Sequence, residues 1–263
     1  MITAASNSRI KRLVQLNQKS KLRRTEDVFL AEGVKMFLEA PREQLQEVYV
    51  SESFLEKCSC REHLEEVGYE VVSDSVFSKI SDTCTPQGVL CVLKQFHYNI
   101  EEMLRDKAPL FLLLENIQDP GNLGTMLRTG EGAGVSGIIM SRDTVDLYNP
   151  KVIRSTMGSI YRVPFYYADD FAAAVHQVQQ AGVSVYAAHL RGKNSYACQD
   201  YTKGTAFLIG NEGNGLREET AELADCYIRI PMEGKVESLN AAVASSILMY
   251  EAHRQRACLL YTS

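Results

Sequence analysis

Three loops of the sequence concentrate glycine, asparagine and carboxylate residues, which expose backbone N–H and C=O groups to a ligand. They are residues 116–124 (NIQDPGNLG), 208–216 (LIGNEGNGL) and 230–240 (IPMEGKVESLN), the first, second and third loops. Each includes or directly follows an apolar run typical of a strand buried on both faces. Because ligands of α/β sheets bind outside the carboxyl ends of the strands, we expect the three loops to build one site.

The first two loops offer three polar side chains for chemistry. Arg128 lies in the helix after the first loop, about 140° around that helix from Leu123 and off its apolar stripe. Asn122 is a plausible N-cap of that helix, and Glu212 in the second loop could orient a ligand or a partner side chain. Taken alone, these patterns favour structural interpretations: a solvent-facing arginine, a helix cap and a surface turn.

The third loop combines apolar side chains with free backbone groups. Ile230, Met232 and Leu239 stand in a segment that also holds a proline and a glycine, and such a surface suits a flat aromatic ligand such as adenine. Ser238 is predicted to cap the last helix, and Asn240 lies off its apolar stripe. We predict that this helix runs from about residue 238 to about residue 254, with the stripe Leu239, Ala242, Val243, Ile247 and Tyr250.

Other nucleotide and metal sites are disfavoured by the context of their motifs. Residues 132–137 (GAGVSG) spell G-x-G-x-x-G, but a helix precedes them and a strand follows, the reverse of a dinucleotide fingerprint. The sequence has no G-x-x-x-x-G-K-[ST] segment, which excludes a P-loop. The seven cysteines are odd in number and irregularly spaced, which disfavours a disulfide framework and a zinc site.

The charge distribution predicts a local phosphate-contacting surface on an acidic chain. The formal net charge is −5, yet residues 9–24 hold seven basic residues and no acidic one. From charge alone, a solvated helix face is an equally good interpretation of this stretch.

Strands and helices alternate along the chain, which predicts an α/β fold with helices on both sides of a mostly parallel sheet. Residues 3–18 are predicted to form a helix, followed by a polar, basic connection through Arg24. A polar stretch with a proline then separates a first α/β unit from a strongly apolar strand. We therefore predict an N-terminal domain over residues 1–105 and a second domain over residues 106–263.

The composition is that of a globular protein, with 45% hydrophobic and 23% charged residues. The sequence has neither a run of roughly 18 apolar residues nor the apolar core of a signal peptide. We therefore expect a cytoplasmic protein that does not enter membranes.

The three loops, in this order, resemble the signature motifs of the SpoU (TrmH-type) RNA ribose methyltransferases of the SPOUT superfamily. The matching patterns are N-x-x-D-P-x-N-x-G…R at 116–128, [LI]-G-x-E-G-x-G at 209–215 and I-P-M-x-G-x-V-x-S-L-N at 230–240. Each motif is weak alone, but three in register are very specific. Residues 29–33 (FLAEG) are similar to the ribosomal-protein-like, RNA-binding domain that often precedes such enzymes.

The resemblance implies a reaction, a fold and an assembly. The implied reaction is S-adenosylmethionine-dependent methylation of a ribose 2′-oxygen in structured RNA, with no metal required. Ribosomal RNA is the favoured substrate, and tRNA is the alternative. The implied fold is a deep trefoil knot in the C-terminal domain. The implied assembly is a homodimer whose sites lie close to the subunit interface. A non-catalytic RNA-binding protein on the same fold is the alternative from another functional class.

The resemblance also assigns roles to individual residues. Arg128 matches the family arginine that activates the ribose 2′-hydroxyl, and orienting the RNA phosphate is chemically easier for it than accepting a proton. The positions that shape the site around Arg128 and the cofactor are Asn122, Glu212, Ser238 and Asn240. The expected cofactor contacts are Gly210, Ile230, Met232 and Leu239. The expected RNA contacts are Lys19, Lys21, Arg23 and Arg24.

Overall fold

The structure is a computed structural model that describes the backbone of residues 1–262 and the side chains through residue 258. Its strands are β1 (Val28–Glu32), β2 (Leu45–Ser51), β3 (Glu70–Val72), β4 (Val89–Lys94), β5 (Leu110–Leu114), β6 (Gly137–Ser141), β7 (Phe165–Ala168), β8 (Ser184–Ala188), β9 (Asn194–Ser195), β10 (Thr205–Ile209) and β11 (Cys226–Arg229). Its helices are α1 (Ser8–Gln18), α2 (Ser20–Glu26), α3 (Val34–Leu38), α4 (Glu52–Lys57), α5 (Arg61–Val67), α6 (Asp74–Ile80), α7 (Ile100–Met103), α8 (Pro120–Ala133), α9 (Pro150–Thr156), α10 (Phe171–Gln180), α11 (Glu218–Ala221) and α12 (Ala241–Thr262). The predicted α/β class is confirmed. None of the described helices is long and apolar enough to span a membrane.

The chain divides into two compact units, each made of two segments. Unit 1 consists of Met1–Phe96 and Asp146–Tyr161, and unit 2 consists of His97–Val145 and Arg162–Ser263. Helix α9, from the middle of the chain, thus belongs to unit 1. The predicted domains, 1–105 and 106–263, are each one continuous segment. The structural units differ from them because each unit combines two separate segments of the chain.

Unit 1 is built on a four-stranded sheet in the order β1-β4-β2-β3. β4 pairs antiparallel with β1 and β2, and β3 pairs parallel with β2. Helices α1 and α6 pack on this sheet through one apolar cluster, whose helical members include Ile10, Leu13, Leu16, Phe77 and Ile80.

Two details at the N-terminus differ from the prediction. Helix α1 begins at Ser8 and not at residue 3, because the Asn7 side chain caps it by accepting a hydrogen bond from the N–H of Arg9 (2.9 Å). The predicted connection through Arg24 is a second helix, α2. Its residues include no proline or glycine, and the chain turns at the extended Lys19 (φ −117°, ψ 103°).

Arg23 on α2 is buried, with 3% of its surface exposed. Its guanidinium donates hydrogen bonds to the carbonyls of Leu16 (2.6 Å) and Asn17 (3.2 Å), which end α1, and to the Asp146 carboxylate (2.5 Å). These hydrogen bonds hold the two terminal nitrogens of the guanidinium inside unit 1. The expectation that Arg23 contacts RNA is therefore corrected to a structural role, because charge patterning along a sequence does not show which cations are buried.

We expect Arg23→Ala to lower the free energy of unfolding by about 3 kcal/mol, because it leaves a partly buried carboxylate and two helix carbonyls without their donor. Arg24→Ala is the matched control, since Arg24 is exposed and donates only a long hydrogen bond to Ser20 Oγ (3.3 Å). That variant should lose less than about 0.5 kcal/mol. Urea denaturation measures both, and equal, small losses would contradict the structural role of Arg23.

Unit 2 is built on a seven-stranded sheet in the order β7-β6-β5-β10-β8-β11-β9, with every pairing parallel. All residues of the central strands β5 and β10 are buried, as their continuous apolar sequences predict. After β8 the chain forms β9 at the edge of the sheet, runs inward to β10 and then outward to β11, which lies between β8 and β9. Helix α12 returns to pack against α8, β5 and β10.

Helix α12 begins later than predicted and buries a different face. Asn240 caps it, because its side-chain oxygen accepts hydrogen bonds from the N–H groups of Ala242 (2.9 Å) and Val243 (3.2 Å). The prediction of Ser238 as the cap was therefore wrong. Val243 and Tyr250 of the predicted stripe are 48% and 49% exposed. Ala242 of the predicted stripe is buried, and the rest of the face that α12 buries includes Ser245, Leu248, Met249 and Ala252, which lie outside that stripe.

Candidate active site

The three loops emerge at one edge of the unit 2 sheet. The first loop follows β5, the second ends β10 and continues past it, and the third follows β11. β5 and β10 are neighbours, and only β8 separates β10 from β11. Because all these strands run parallel, their carboxyl ends lie at the same edge, as a composite site built from the three loops requires.

Gly210 begins a tight turn over the end of β10. Asn211 and Gly215 exchange two backbone hydrogen bonds, of 3.0 and 2.9 Å, which close the turn. A Cβ atom on Gly210 would lie 2.2 Å from the carbonyl carbon of Gly215 and 2.2 Å from the nitrogen of Leu216. Only glycine therefore allows the loop backbone to come this close to the strand end.

Glu212 joins the three loops through hydrogen bonds. Its carboxylate accepts the N–H groups of Gln118 (3.1 Å) and Asp119 (3.0 Å) and the side-chain amide of Asn122 (3.0 Å), all in the first loop. The Asn122 oxygen in turn accepts from the side-chain amide of Asn240 (2.9 Å), at the end of the third loop. We call Glu212, Asn122 and Asn240 the polar relay.

The polar relay keeps Glu212 ionised. Partial burial would raise the pKa of the Glu212 carboxyl, but hydrogen bonds from the Asn122 side chain and from the N–H groups of Asp119 and Gln118 outweigh it, so the pKa lies below its ordinary value. An ionised carboxylate accepts all three donors, whereas a protonated one would have to turn a proton toward one of them. The relay is therefore complete at neutral pH.

The predicted N-cap of α8 was wrong by one turn. Asp119 caps the helix, because its side chain accepts the N–H of Asn122 (2.8 Å), and α8 begins at Pro120. This leaves the Asn122 side chain free to bridge Glu212 and Asn240. The sequence pattern did not distinguish the two candidate caps, since Asp and Asn have similar cap preferences.

Asn211 stabilises the second loop. Its side-chain amide donates to the carbonyl of Asn116 (2.8 Å), and its oxygen accepts from the N–H groups of Gly213 (2.9 Å) and Asn214 (3.1 Å). Asn116 itself has a left-handed backbone, with φ of 54°. The side chain at position 211 therefore holds the first and second loops together.

A cavity of about 320 Å³ opens between the second loop, the third loop and the end of β8. All four predicted cofactor contacts line it, together with two predicted polar site residues: Gly210, Ile230, Met232, Leu239, Glu212 and Ser238. The structure thus brings these positions together around one space.

The cavity has the chemistry that S-adenosylmethionine requires. Its apolar lining includes Ile209, Ile228, Ile230 and Leu239, which suit the flat faces of an adenine. The glycine-rich second loop adds backbone polar groups, and Glu212 and Glu237 contribute carboxylates that suit a cationic ligand. The volume is near the lower end of those typical for small-molecule sites, about 300 to 1,000 Å³.

Arg128 lies outside the cavity lining. It is exposed on α8, opposite the buried Leu123, Met126 and Leu127, as the sequence pattern predicts. Within the described part of the chain, its guanidinium has no hydrogen bond or ion pair. The arginine is therefore available to a ligand or to a second chain.

Glu115 directly follows β5, is 1% exposed, and was not among the predicted site residues. Its carboxylate accepts the N–H of Arg217 (2.8 Å) and the hydroxyl of Thr220 (2.5 Å), and it thereby fixes α11 beside the second loop. Arg217 also forms an ion pair with Asp143. A carboxylate that directly continues an apolar run was the available signal, because such a group must be paired when buried.

The chain matches two family models. One is described as the SpoU rRNA Methylase family and covers residues 109–250, and the other is described as an MRM3-like substrate binding domain and covers residues 7–91. The 23S rRNA (guanosine(2553)-2′-O)-methyltransferase RlmP of Bacillus subtilis (strain 168) is 32% identical over 95% of this chain and 97% of its own length.

Two solved structures are similar to this chain over different shares of its length. An AdoMet-bound rRNA methyltransferase from Sinorhizobium meliloti superposes with a TM-score of 0.83, at 31% identity, over 96% of this chain and 97% of its own. The A. aeolicus TrmH/SpoU tRNA modifying enzyme gives a TM-score of 0.53, at 29% identity, over 61% of this chain and 82% of its own.

This chain belongs to the SpoU rRNA methylase family. The predicted family is therefore confirmed, and so are the enzyme class, RNA ribose 2′-O-methyltransferase, and S-adenosylmethionine as the cofactor of the family.

Proposed function

We propose that the protein transfers a methyl group from S-adenosylmethionine to a ribose 2′-oxygen of structured ribosomal RNA. The polar relay carries this proposal. Glu212, Asn122 and Asn240 come from three different loops, and hydrogen bonds of 2.9 to 3.0 Å connect their side chains beside a cavity that fits the cofactor.

When bound, the cofactor supplies an electrophilic methyl group on a sulfonium. The protein's task is then alignment, because in-line attack depends on the positions of the attacking oxygen, the methyl carbon and the leaving sulfur. The polar relay holds the first and third loops against the second. Arg128 orients an RNA phosphate beside the 2′-hydroxyl through its two-pronged guanidinium and stabilises the charge that develops on that oxygen.

Ribosomal RNA is the better-supported substrate, and tRNA is the alternative. The relative named for 23S rRNA matches nearly the whole chain, whereas the tRNA modifying enzyme matches 61% of it. A non-catalytic RNA-binding role is disfavoured because Arg128 and the complete polar relay are present.

We also propose a homodimer. Val243 and Tyr250 leave an apolar face of α12 exposed. The Tyr250 hydroxyl lies 3.0 Å from the position that a Cβ of Gly132 would occupy, so this face continues onto α8. Arg128 lies one turn before Gly132 on the same side of α8 and therefore borders the face. A second copy that covers this face brings Arg128 to the subunit boundary.

The basic stretch supports RNA binding with a smaller set of residues than predicted. Arg12 is paired with Glu26 and Glu47, each at 2.7 Å, and Arg23 is buried. The cations that stay exposed on and around α2 are Lys19, Lys21 and Arg24. We propose that these three contact RNA phosphates, within an N-terminal substrate-binding domain that we place at residues 1–105.

Replacing Lys19, Lys21 and Arg24 together by alanine should weaken RNA binding and reduce the slope of log affinity against log salt by about two to three, because fewer counterions are released. Cofactor affinity should not change. The control replaces Lys57, Lys107 and Lys203, which are also exposed and alter the net charge equally. Filter binding at several salt concentrations measures both, and identical slopes would show that the stretch is only a solvated face.

The proposal also includes a knotted methyltransferase domain and a cytoplasmic location. The path of the chain from the edge strand β9 inward to β10 and outward to β11, and the return of α12 onto β5 and β10, support a trefoil knot in the methyltransferase domain of residues 106–263. A ribosomal RNA substrate supports a cytoplasmic location.

The substrate is tested by mapping 2′-O-methyl groups in RNA from cells with and without the gene. We expect one ribosomal position to lose its methyl group, and the purified protein should restore it with labelled S-adenosylmethionine. Loss of a tRNA methyl group instead would support the alternative substrate, and no change in either RNA would contradict the proposed activity.

A further inference from the structure

We propose that His189 recognises the cofactor through a neutral imidazole, and that protonation of this ring weakens binding of the methyl donor more than binding of its demethylated product. This inference rests on the proposed function. His189 follows β8 directly and lines the same cavity as the second and third loops. None of the sequence motifs includes it.

The backbone of His189 is fixed by strand β11. Its N–H donates to the carbonyl of Ile228 (3.0 Å), and its carbonyl accepts the N–H of Gly192 (2.9 Å). A Cβ on Gly192 would lie 2.8 Å from the Ile228 carbonyl carbon, so the turn is pressed against the strand. The histidine is therefore held in place before any ligand binds.

The imidazole ring is oriented as well. Its Nδ1 accepts the backbone N–H of Arg191 (3.1 Å), and its plane lies 34° from the Tyr227 ring, with the centroids 5.1 Å apart. In the neutral ring an accepting Nδ1 leaves the proton on Nε2. Among the described residues Nε2 has no partner, so it is the ring's available donor to a ligand.

The surroundings favour the neutral ring. Partial burial lowers the pKa of His189, and the charge of Arg191 lowers it further, whereas Glu218, which is paired with Arg191, opposes them. The other charged groups of the cavity are Arg229 of β11, Glu212 of the second loop and Glu237 of the third loop.

The two cofactor forms differ by one charge. S-adenosylmethionine carries a sulfonium cation, and S-adenosylhomocysteine has a neutral thioether in its place. A neutral imidazole at His189 donates a hydrogen bond to an acceptor atom of either form, and it has no charge–charge repulsion with either of them. A protonated ring would repel the sulfonium and spare the thioether, so acidification should weaken binding of S-adenosylmethionine more than binding of S-adenosylhomocysteine.

Isothermal titration of the full chain with each cofactor, at about pH 7.5 and about pH 5.5, tests the inference. On acidification we expect the affinity for S-adenosylmethionine to fall about tenfold more than the affinity for S-adenosylhomocysteine. His189→Gln keeps an N–H donor that does not titrate, so it should retain the affinity at the higher pH and lose the pH-dependent difference. His189→Phe should bind both cofactors about tenfold more weakly at about pH 7.5.

The control is His176→Gln, which removes an exposed histidine from α10, outside the cavity. It should behave as the unmodified protein does. An unchanged ratio of the two affinities across pH, or a pH-dependent ratio that survives in His189→Gln, would overturn the role of His189. Failure of the unmodified protein to bind either cofactor would overturn the proposed function instead, and this inference with it.

Discussion

Replacing Arg128 by alanine is expected to lower methyl transfer to RNA by about two to four orders of magnitude, the range for a positioned acid–base or electrostatic group. The side chain is exposed and makes no hydrogen bond or ion pair among the described residues, so its loss should change the free energy of unfolding by less than about 1 kcal/mol. Cofactor affinity should hardly change, because the cavity lining does not include Arg128.

Single-turnover transfer of labelled methyl, cofactor titration and thermal melting separate these effects. Arg128→Lys should restore only part of the rate, since a point charge does not reproduce the two parallel hydrogen bonds of a guanidinium to phosphate. Near-normal transfer by a folded Arg128→Ala protein would place the centre of the reaction elsewhere. A large loss of thermal stability would make Arg128 a structural residue.

Gly210→Ala should abolish measurable cofactor binding, a loss of at least about a hundredfold. The new methyl group would lie 2.2 Å from two backbone atoms of residues 215 and 216, and backbone atoms have no rotamer through which to avoid it. The turn must open, and it forms one wall of the cavity. Isothermal titration, in which the unmodified protein should show micromolar affinity, or roughly −8 kcal/mol, measures the change.

Gly213→Ala is the matched control for Gly210→Ala. Gly213 lies in the same turn, but the atom nearest to an added Cβ is the Asn211 Oδ1, at an ordinary 3.6 Å. The control should bind the cofactor as the unmodified protein does. Equal binding by both variants would show that the close approach at Gly210 does not shape the site, and equal loss would show that the turn tolerates no side chain at all.

The site could be located from the sequence because its signals are local. Each loop carries its own glycines and carboxylates, and each follows a strand whose apolar run is visible by inspection. The position of Arg128 off the apolar stripe of α8 follows from helical periodicity alone, and the structure agrees.

The polar connections could not be predicted in the same way. Glu212 and Asn122 are 90 residues apart in the chain, and Arg23 and Asp146 are 123 apart. No periodicity relates such pairs, so a buried Arg23 and an exposed Arg24 look identical in the sequence. For the same reason Asn122 was interpreted as a helix cap, although its partners lie in the two other loops.

The exposed face of α12 shows a second kind of feature that the sequence pattern alone does not predict, namely which molecule covers an apolar face. The stripe through Val243, Ile247 and Tyr250 is a genuine apolar periodicity, but this chain alone buries the face beside it. A pattern of apolar residues predicts that a face will be covered and does not say by which molecule. The mismatch between stripe and burial therefore supports the proposed homodimer.

The assignment of Asp146–Tyr161 to unit 1 constrains how the protein is made. Helix α9 packs on β1, and the Tyr161 hydroxyl donates to the carbonyl of Met36 (3.0 Å). A ribosome releases the chain from its N-terminus, so unit 1 cannot be complete until residue 161 has emerged. By then β5, α8 and β6 are already outside, and β5 still lacks its partner β10. We therefore expect unit 1 to mature on the nascent chain only after β5, α8 and β6 of unit 2 have emerged, and truncation after residue 96 to release an incomplete unit and not a free-standing domain.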